Sequence, residues 1–474
     1  MFLVLLIVIP LIAGIVAIAS QSAAIAKIVG LVASLATLGV LLNVLCIPNG
    51  SEALAYSKPW IGSLGANFSL LLDGPGKIAT LLTAVSFPII FIASWNNGYK
   101  YAHQFWGLML LAMAGLMGVF LANDMLLFYF FWELALIPTY FLCSIWGGEK
   151  RIQVSFKFFI YTFVGSVLML IGIISLYGKT PDASFSWKSF TQVALTAKEQ
   201  LFFFWLFFVA FAIKMPIFPL HTWQPDAYEQ SPTTVTMVLS GIMVKMGLFA
   251  VIRWLFPIFP EASSQMSGIV ITLSIIGVIY ASLIAIRQDD IKRLIAYSSI
   301  AHIGIMAAAL FTRNEMGYEG AVIQMFSHGI NIIGLWIVVD YIEHQTGVRK
   351  MSELGGLAQK APNLTILFIV LAFANVSLPL TNAFIGEFLM FNGLFQYSVC
   401  AAVVAGLSII LGAVYTLGLA QKTFYGEQKS LAAIKSDAPL NVIVALSLIV
   451  IMIIAFGVYP KPLFNLIGLV AGGN

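Results

Sequence analysis

Between Phe2 and Tyr459 the chain is a succession of apolar runs, each about as long as a bilayer is thick, with short polar breaks between them. No other feature constrains the fold as strongly. A lipid-embedded backbone must satisfy its donors and acceptors internally, and a helix of about 20 apolar residues does so across the hydrocarbon. Cutting at the polar breaks gives about fourteen runs of spanning length. They are residues 2–20, 26–47, 76–94, 104–121, 124–146, 155–177, 200–219, 233–257, 267–286, 293–312, 318–341, 363–391, 397–420 and 438–459. With 60% of residues hydrophobic and 9% charged, a soluble globular enzyme and a disordered chain are both excluded. The expected fold class is an all-α polytopic membrane protein. The first basic residue is Lys27, so residues 1–20 read as a retained span rather than a cleaved leader.

Several chemistries are excluded with equal economy. Cys46, Cys143 and Cys400 are the only cysteines and show no CxxC spacing, so this chain's cysteines build no iron–sulfur or zinc site. There is no GxxxxGK[ST] and no GxGxxG set between a strand and a helix, so neither nucleotide hydrolysis nor dinucleotide binding is indicated. The formal charge of +4 reflects where loops sit rather than a nucleic-acid surface. Energy for any transport must come from an ion gradient or from partner subunits.

Loop charges orient the chain by the positive-inside bias. One side collects Lys27, Lys100, Lys150, Arg151, Lys157, Arg287, Lys292, Arg293, Arg349, Lys350, Lys360, Lys422, Lys429 and Lys435. The other takes Lys58, Lys77, Lys179, Lys188, Lys198, Arg253, Arg313 and Lys461. The first set is the larger, which places both termini outside. Pro48 to Ser69 reads as a mixed external loop, and Asp73 as a group at a helix start, where the dipole favours a carboxylate.

The charges left inside the apolar runs are the question. A charged side chain at the bilayer centre costs about 2.5–3.5 kcal/mol on insertion scales, so each needs a partner or a task. Lys214 is followed by Pro216 and Pro219, which break a helix by removing a donor and clashing one turn back. Lys245 lies in VLSGIMVKMGLFAVI beside Ser240 and Gly241, with no local counter-ion. Between the two lysines, the hairpin HTWQPDAYEQSPT carries His221, Asp226 and Glu229. Glu133 is near midspan among Phe128, Phe130, Phe131 and Trp132, with Lys214 as the expected partner. His328 lies deep in QMFSHGINIIG, and His302 two to three turns into the preceding run; histidine titrates near neutral pH, which suits a proton relay. Pro379 interrupts the twelfth run ahead of Glu387. Two proline-broken segments, each with an ionisable group, one in each half, point to a transport route. The last two runs show no buried ionisable group apart from Lys422 at an end.

The segments LFYFFWELALIPTYFLCSIWGG, KFFIYT, AFAIKMPIFPLHTWQPDAYEQSPT, DDIKRLIAYSSIAHIG, GAVIQMFSHG and GEFLMF together resemble the antiporter-like membrane subunits of respiratory complex I, the proton-pumping NADH:quinone oxidoreductase. Glu387 resembles the M-type, since the L- and N-types and most antiporter homologues carry lysine there. The family's WLPDAH reads WQPDAY here, so no histidine acts at Tyr228. The resemblance implies two inverted five-helix repeats. Helices 1–3 then occupy 1–103, the repeats 104–257 and 258–424, and the last helix 425–474.

It also implies a midplane proton relay through Glu133, Lys214, Lys245, His328 and Glu387, with His302 and His221 as auxiliaries. Flavin and iron–sulfur clusters are expected in partner subunits and no cofactor in this chain. The expected partners are L- and N-type neighbours, the lipid bilayer and protons, with no nucleic acid. The expected location is a bacterial inner membrane, with both termini periplasmic. In the expected mechanism Glu133 pairs with Lys214 and holds its proton until a neighbouring subunit weakens the pair. The proton then passes to Lys245 and His328, and Glu387 ends the relay. Competing readings are a subunit of a multi-subunit Na+/H+ antiporter or membrane-bound hydrogenase, and a structural scaffold.

Overall fold

The computed structural model describes residues 1–48, 50–427 and 436–468. Lys429 and Lys435, two of the cations assigned to the inner side, lie outside the described residues. Among the described residues twelve helices are long and apolar enough to cross a membrane. The other two expected runs are broken helices, each interrupted where the sequence places proline.

The first break follows Ala197–Lys214 and leads through Pro216 and Pro219 into the short helix Trp223–Gln230. The free carbonyl of Ile213 accepts the Trp223 indole N–H at 3.0 Å, so the broken turn stays satisfied by protein. The second break separates Pro362–Asn375 from Asn382–Tyr397. There Ser377 and Leu380 adopt φ of 52° and 76°, values that side-chain-bearing residues seldom take and that concentrate at functional sites.

The long helix Thr233–Ile258 is distorted without proline. It contains π-helical segments at Leu239–Met243 and Val251–Leu255, a geometry frequent at functional sites. Close approach of small residues sets its rotation. A Cβ added at Gly329 would lie 2.9 Å from the Gly241 carbonyl, and one at Gly247 would lie 2.7 Å from the Phe211 carbonyl. This helix therefore packs directly against Glu315–Thr346 on one side and against the Lys214 helix on the other.

One reading is corrected outside the core. The expected loop from Pro48 to Ser69 contains an antiparallel hairpin of Ala55–Ile61 and Ala66–Leu71. Gly65 turns its corner at φ +65°, and a Cβ there would lie 2.3 Å from the Ala183 carbonyl, so only glycine fits. Lys77 and Arg253, counted on the outer side, lie buried near the ends of their helices, within the runs 76–94 and 233–257. Asp73 does cap its helix, accepting the Gly76 N–H at 3.1 Å, and it also binds Arg253 at 2.7 Å.

The polar segment between the lysines carries an ion-pair network. Asp226 meets Lys157 at 2.8 Å and Arg293 at 3.2 Å, and Glu229 meets Arg293 at 2.7 Å and Arg349 at 3.5 Å. Arg349 also meets Asp290 at 3.3 Å, and Lys292 meets Glu343 at 2.6 Å. Burial raises the Asp290 carboxyl above its usual range, and Arg349 opposes that rise. These contacts tie three helix ends to the face that carries the 221–232 hairpin.

Candidate functional site

Lys245 is fully buried, on the turn that follows the first π segment. The distortion frees the Ser240 carbonyl, which accepts the ammonium at 2.7 Å. The same ammonium lies 2.9 Å from His328 Nδ1, across the Gly241–Gly329 contact. His328 faces His302 with ring centroids 5.3 Å apart. His302 Nδ1 is in turn 3.3 Å from Glu387 Oε1. Four of the residues singled out in the sequence thus form one contiguous file, Lys245, His328, His302 and Glu387, all less than a tenth exposed. The file is contributed by four different helices.

Its chemistry follows from the donor inventory. A lysine ammonium has no acceptor, so His328 Nδ1 accepts when Lys245 is charged, and the imidazole proton then sits on Nε2. Two cations at this separation repel by about 5–6 kcal/mol at an effective dielectric near 20. The pair therefore does not hold two excess protons at once, and the two sites are coupled. At the far end a Glu387 carboxyl oxygen faces His302 Nδ1.

Glu133 and Lys214 form a separate group. The direct ion pair expected between them is not made: Lys214 Nζ and Glu133 Oε1 are both buried without a protein hydrogen-bond partner. The lysine lies instead over the rings of Trp132, at 5.5 Å, and Phe158, at 6.0 Å, a cation–π arrangement. Glu133 remains within electrostatic reach of it. Trp132 is itself held by a 3.2 Å hydrogen bond from its indole N–H to Ser166.

His221 stands apart from both groups, stacked on Phe218 and edge-on to Tyr280 with centroids 5.6 and 5.3 Å away. Sequence reasoning missed the surroundings of Glu387. The Tyr415 hydroxyl, on Val399–Thr423, shares a small cavity with Glu387 and His302. It accepts a hydrogen bond from Ser298 at 3.1 Å. Asn375, the last residue before the second break, donates to Thr416 at 2.8 Å and to Ser298 at 3.5 Å. The available signal was Tyr415 and Thr416 side by side deep in a largely apolar run. Among the described residues no three His, Cys, Asp or Glu side chains converge as a metal site.

The family model described as NADH:quinone oxidoreductase/Mrp antiporter, TM, matches residues 122–412. NADH-quinone oxidoreductase subunit M of Rickettsia prowazekii (strain Madrid E) is 37% identical over 423 residues, covering 88% of this chain and 86% of that protein. Subunit M of Escherichia coli (strain K12) is 35% identical over 422 residues, covering 86% and 83%. A chain of respiratory complex I from Thermus thermophilus with bound NADH is similar in structure, with TM-score 0.90, 28% identity and 98% of each chain covered.

Proposed function

The chain belongs to the NADH:quinone oxidoreductase/Mrp antiporter transmembrane family, and from that premise we propose that it translocates protons as the M-type membrane subunit of an NADH:quinone oxidoreductase. The observation that carries the reading is the buried file Lys245–His328–His302–Glu387. Its members lie next to one another, through a hydrogen bond at Lys245–His328, a ring contact at His328–His302 and a 3.3 Å approach at His302–Glu387, and no member is tied up in a static carboxylate–ammonium pair. A scaffold would pair its buried charges.

The relay has two stations. Lys214 holds a proton under the influence of Glu133, and the Lys245–His328 pair holds the next. The helices that carry them touch at Gly247, with no hydrogen bond or ion pair between the stations among the described residues. Transfer across that gap is the step a neighbouring subunit controls. Weakening the field of Glu133 at Lys214 releases its proton towards Lys245. A change in charge about 4 Å away is worth about 4 kcal/mol at an effective dielectric near 20, enough to move a lysine between loaded and unloaded states. Glu387 ends the file.

The two broken helices belong to two inverted repeats, 104–257 and 258–424, with 1–103 and 425–474 flanking them. Flavin, iron–sulfur chemistry and quinone reduction reside in partner subunits, with L- and N-type chains as neighbours in the membrane. The chain acts within a translocase of the bacterial inner membrane and has both termini on the periplasmic side.

The test is NADH-driven proton pumping in sealed vesicles, comparing the assembled complex with Lys245→Ala and Lys214→Ala at matched assembly. Pumping and quinone reduction should fall together. Normal values for both at full assembly would refute the relay.

A further inference from the structure

Glu387 lies at a boundary. On its outer side is an apolar groove of ≈ 460 Å³, walled by Phe384, Phe388, Phe391 and Phe395, with Ser377 the one hydroxyl. On its inner side is a polar cavity of ≈ 10 Å³ shared with His302, Asn375, Ser408 and Tyr415. A cavity needs about 10–15 Å³ to hold a water, along with two to four polar partners; this one has both. A proton leaving or reaching Glu387 needs hydrogen-bonding groups, and they lie on the Tyr415 side.

Resting on the relay proposed above, we propose that Tyr415 is a further proton-relay residue and opens an arm of the route between Glu387 and the face that carries the 221–232 hairpin. The helix Val399–Thr423 ends at that face, so Tyr415 and Thr416 lie on its side of the break. Ser298 lies on the same side of His302, one turn nearer the start of Ile291–Phe311. The phenol is buried and held by Ser298, which Asn375 holds in turn. Asn375 has no proton to relay at neutral pH and acts as a positioning residue, fixing the Ser298 and Thr416 hydroxyls.

The step balances. Ser298 donates to Tyr415 Oη, so the transfer this orientation supports runs inward: Tyr415 gives its hydroxyl proton towards Glu387 through the cavity and takes the Ser298 proton, and Ser298 takes one from water on the side of the hairpin face. One O–H bond forms as one breaks at each oxygen, so one proton moves with no net change in either residue. Restoring the starting orientation requires only rotation of the two hydroxyls.

Tyr415→Phe keeps the ring and removes the hydroxyl, so a packing role predicts no change in rate. A relay role predicts a loss of proton pumping by roughly tenfold or more at matched assembly. It also predicts a larger ratio of rates in H2O and D2O, because proton transfer becomes limiting. Ser298→Ala carries the same test if Tyr415→Phe assembles poorly. Glu387→Gln is measured alongside. Wild-type pumping and isotope ratio in Tyr415→Phe, or in Ser298→Ala where that variant carries the test, together with impaired Glu387→Gln, would overturn the arm and leave the relay standing. Wild-type behaviour in the hydroxyl variant and in Glu387→Gln would overturn the relay itself.

Discussion

Lys245 and His328 meet at 2.9 Å in the buried centre of the molecule, with no salt-bridging carboxylate on the lysine among the described residues. They reach each other because Gly241 and Gly329 let their helices touch. The two side chains form one proton-holding unit rather than two independent bases, and the first prediction follows from that.

Lys245→Ala and His328→Ala should each slow pumping by roughly tenfold or more, the scale of losing a positioned acid or base. The double variant should be hardly worse than either single one, because residues that act as a unit are non-additive. Pumping and quinone reduction in vesicles, at matched assembly, check this. Multiplicative losses would show two separate functions.

Glu133 acts on Lys214 through its field and makes no contact with it. Glu133→Gln should therefore leave assembly intact while lowering turnover and pumping together, whereas breaking a true buried pair is strongly destabilising, by about 3–5 kcal/mol. Complex yield on a native gel and vesicle pumping separate the two. Loss of the complex itself would show that the carboxylate is structural.

Gly247 joins the two stations. A methyl group there would lie 2.7 Å from the Phe211 carbonyl and 2.9 Å from the Met215 amide nitrogen, both backbone atoms that cannot swing away. Gly247→Ala should force the helices apart at a cost of about 1–3 kcal/mol and slow transfer between Lys214 and Lys245. Gly406→Ala, where nothing lies within 4 Å, should pump normally. Equal activity in the two variants would contradict the close approach.

Arg293 holds both Asp226 and Glu229. Arg293→Ala should loosen the 221–232 segment, with each charge-assisted bond worth about 1.5–3 kcal/mol in net terms and screening reducing that at this half-exposed site. Limited proteolysis from the hairpin face should cut this segment faster in the variant, and salt should narrow the difference. Unchanged cleavage would show that the network is redundant.

How much of the site was legible depended on the range of the interaction. Pro216, Pro219 and Pro379 announced both helix breaks, because proline acts on its own turn. Asp73 was legible as a cap for the same reason, but its bond to Arg253 was not, since 180 residues separate the two. Tyr415 passed unnoticed because a lone tyrosine in an apolar run gives no sign of what it faces. The hairpin of Ala55–Ile61 and Ala66–Leu71 was hidden by Pro59 and by the short, mixed alternation of its strands.

The sequence by itself determined that this chain crosses a membrane many times, where its helices break, which ionisable groups lie inside, and through its motifs the family. These are properties of local composition and short segments, and a bilayer reads composition segment by segment. Tertiary structure alone decided which of those groups meet. Thr233–Ile258 is buried on nearly all sides, so its sequence carries no polar face from which a rotation could be read. Packing at Gly241 and Gly247 sets that rotation, turning Lys245 to His328. The other lysine lies over Trp132 and makes no ion pair with Glu133 among the described residues.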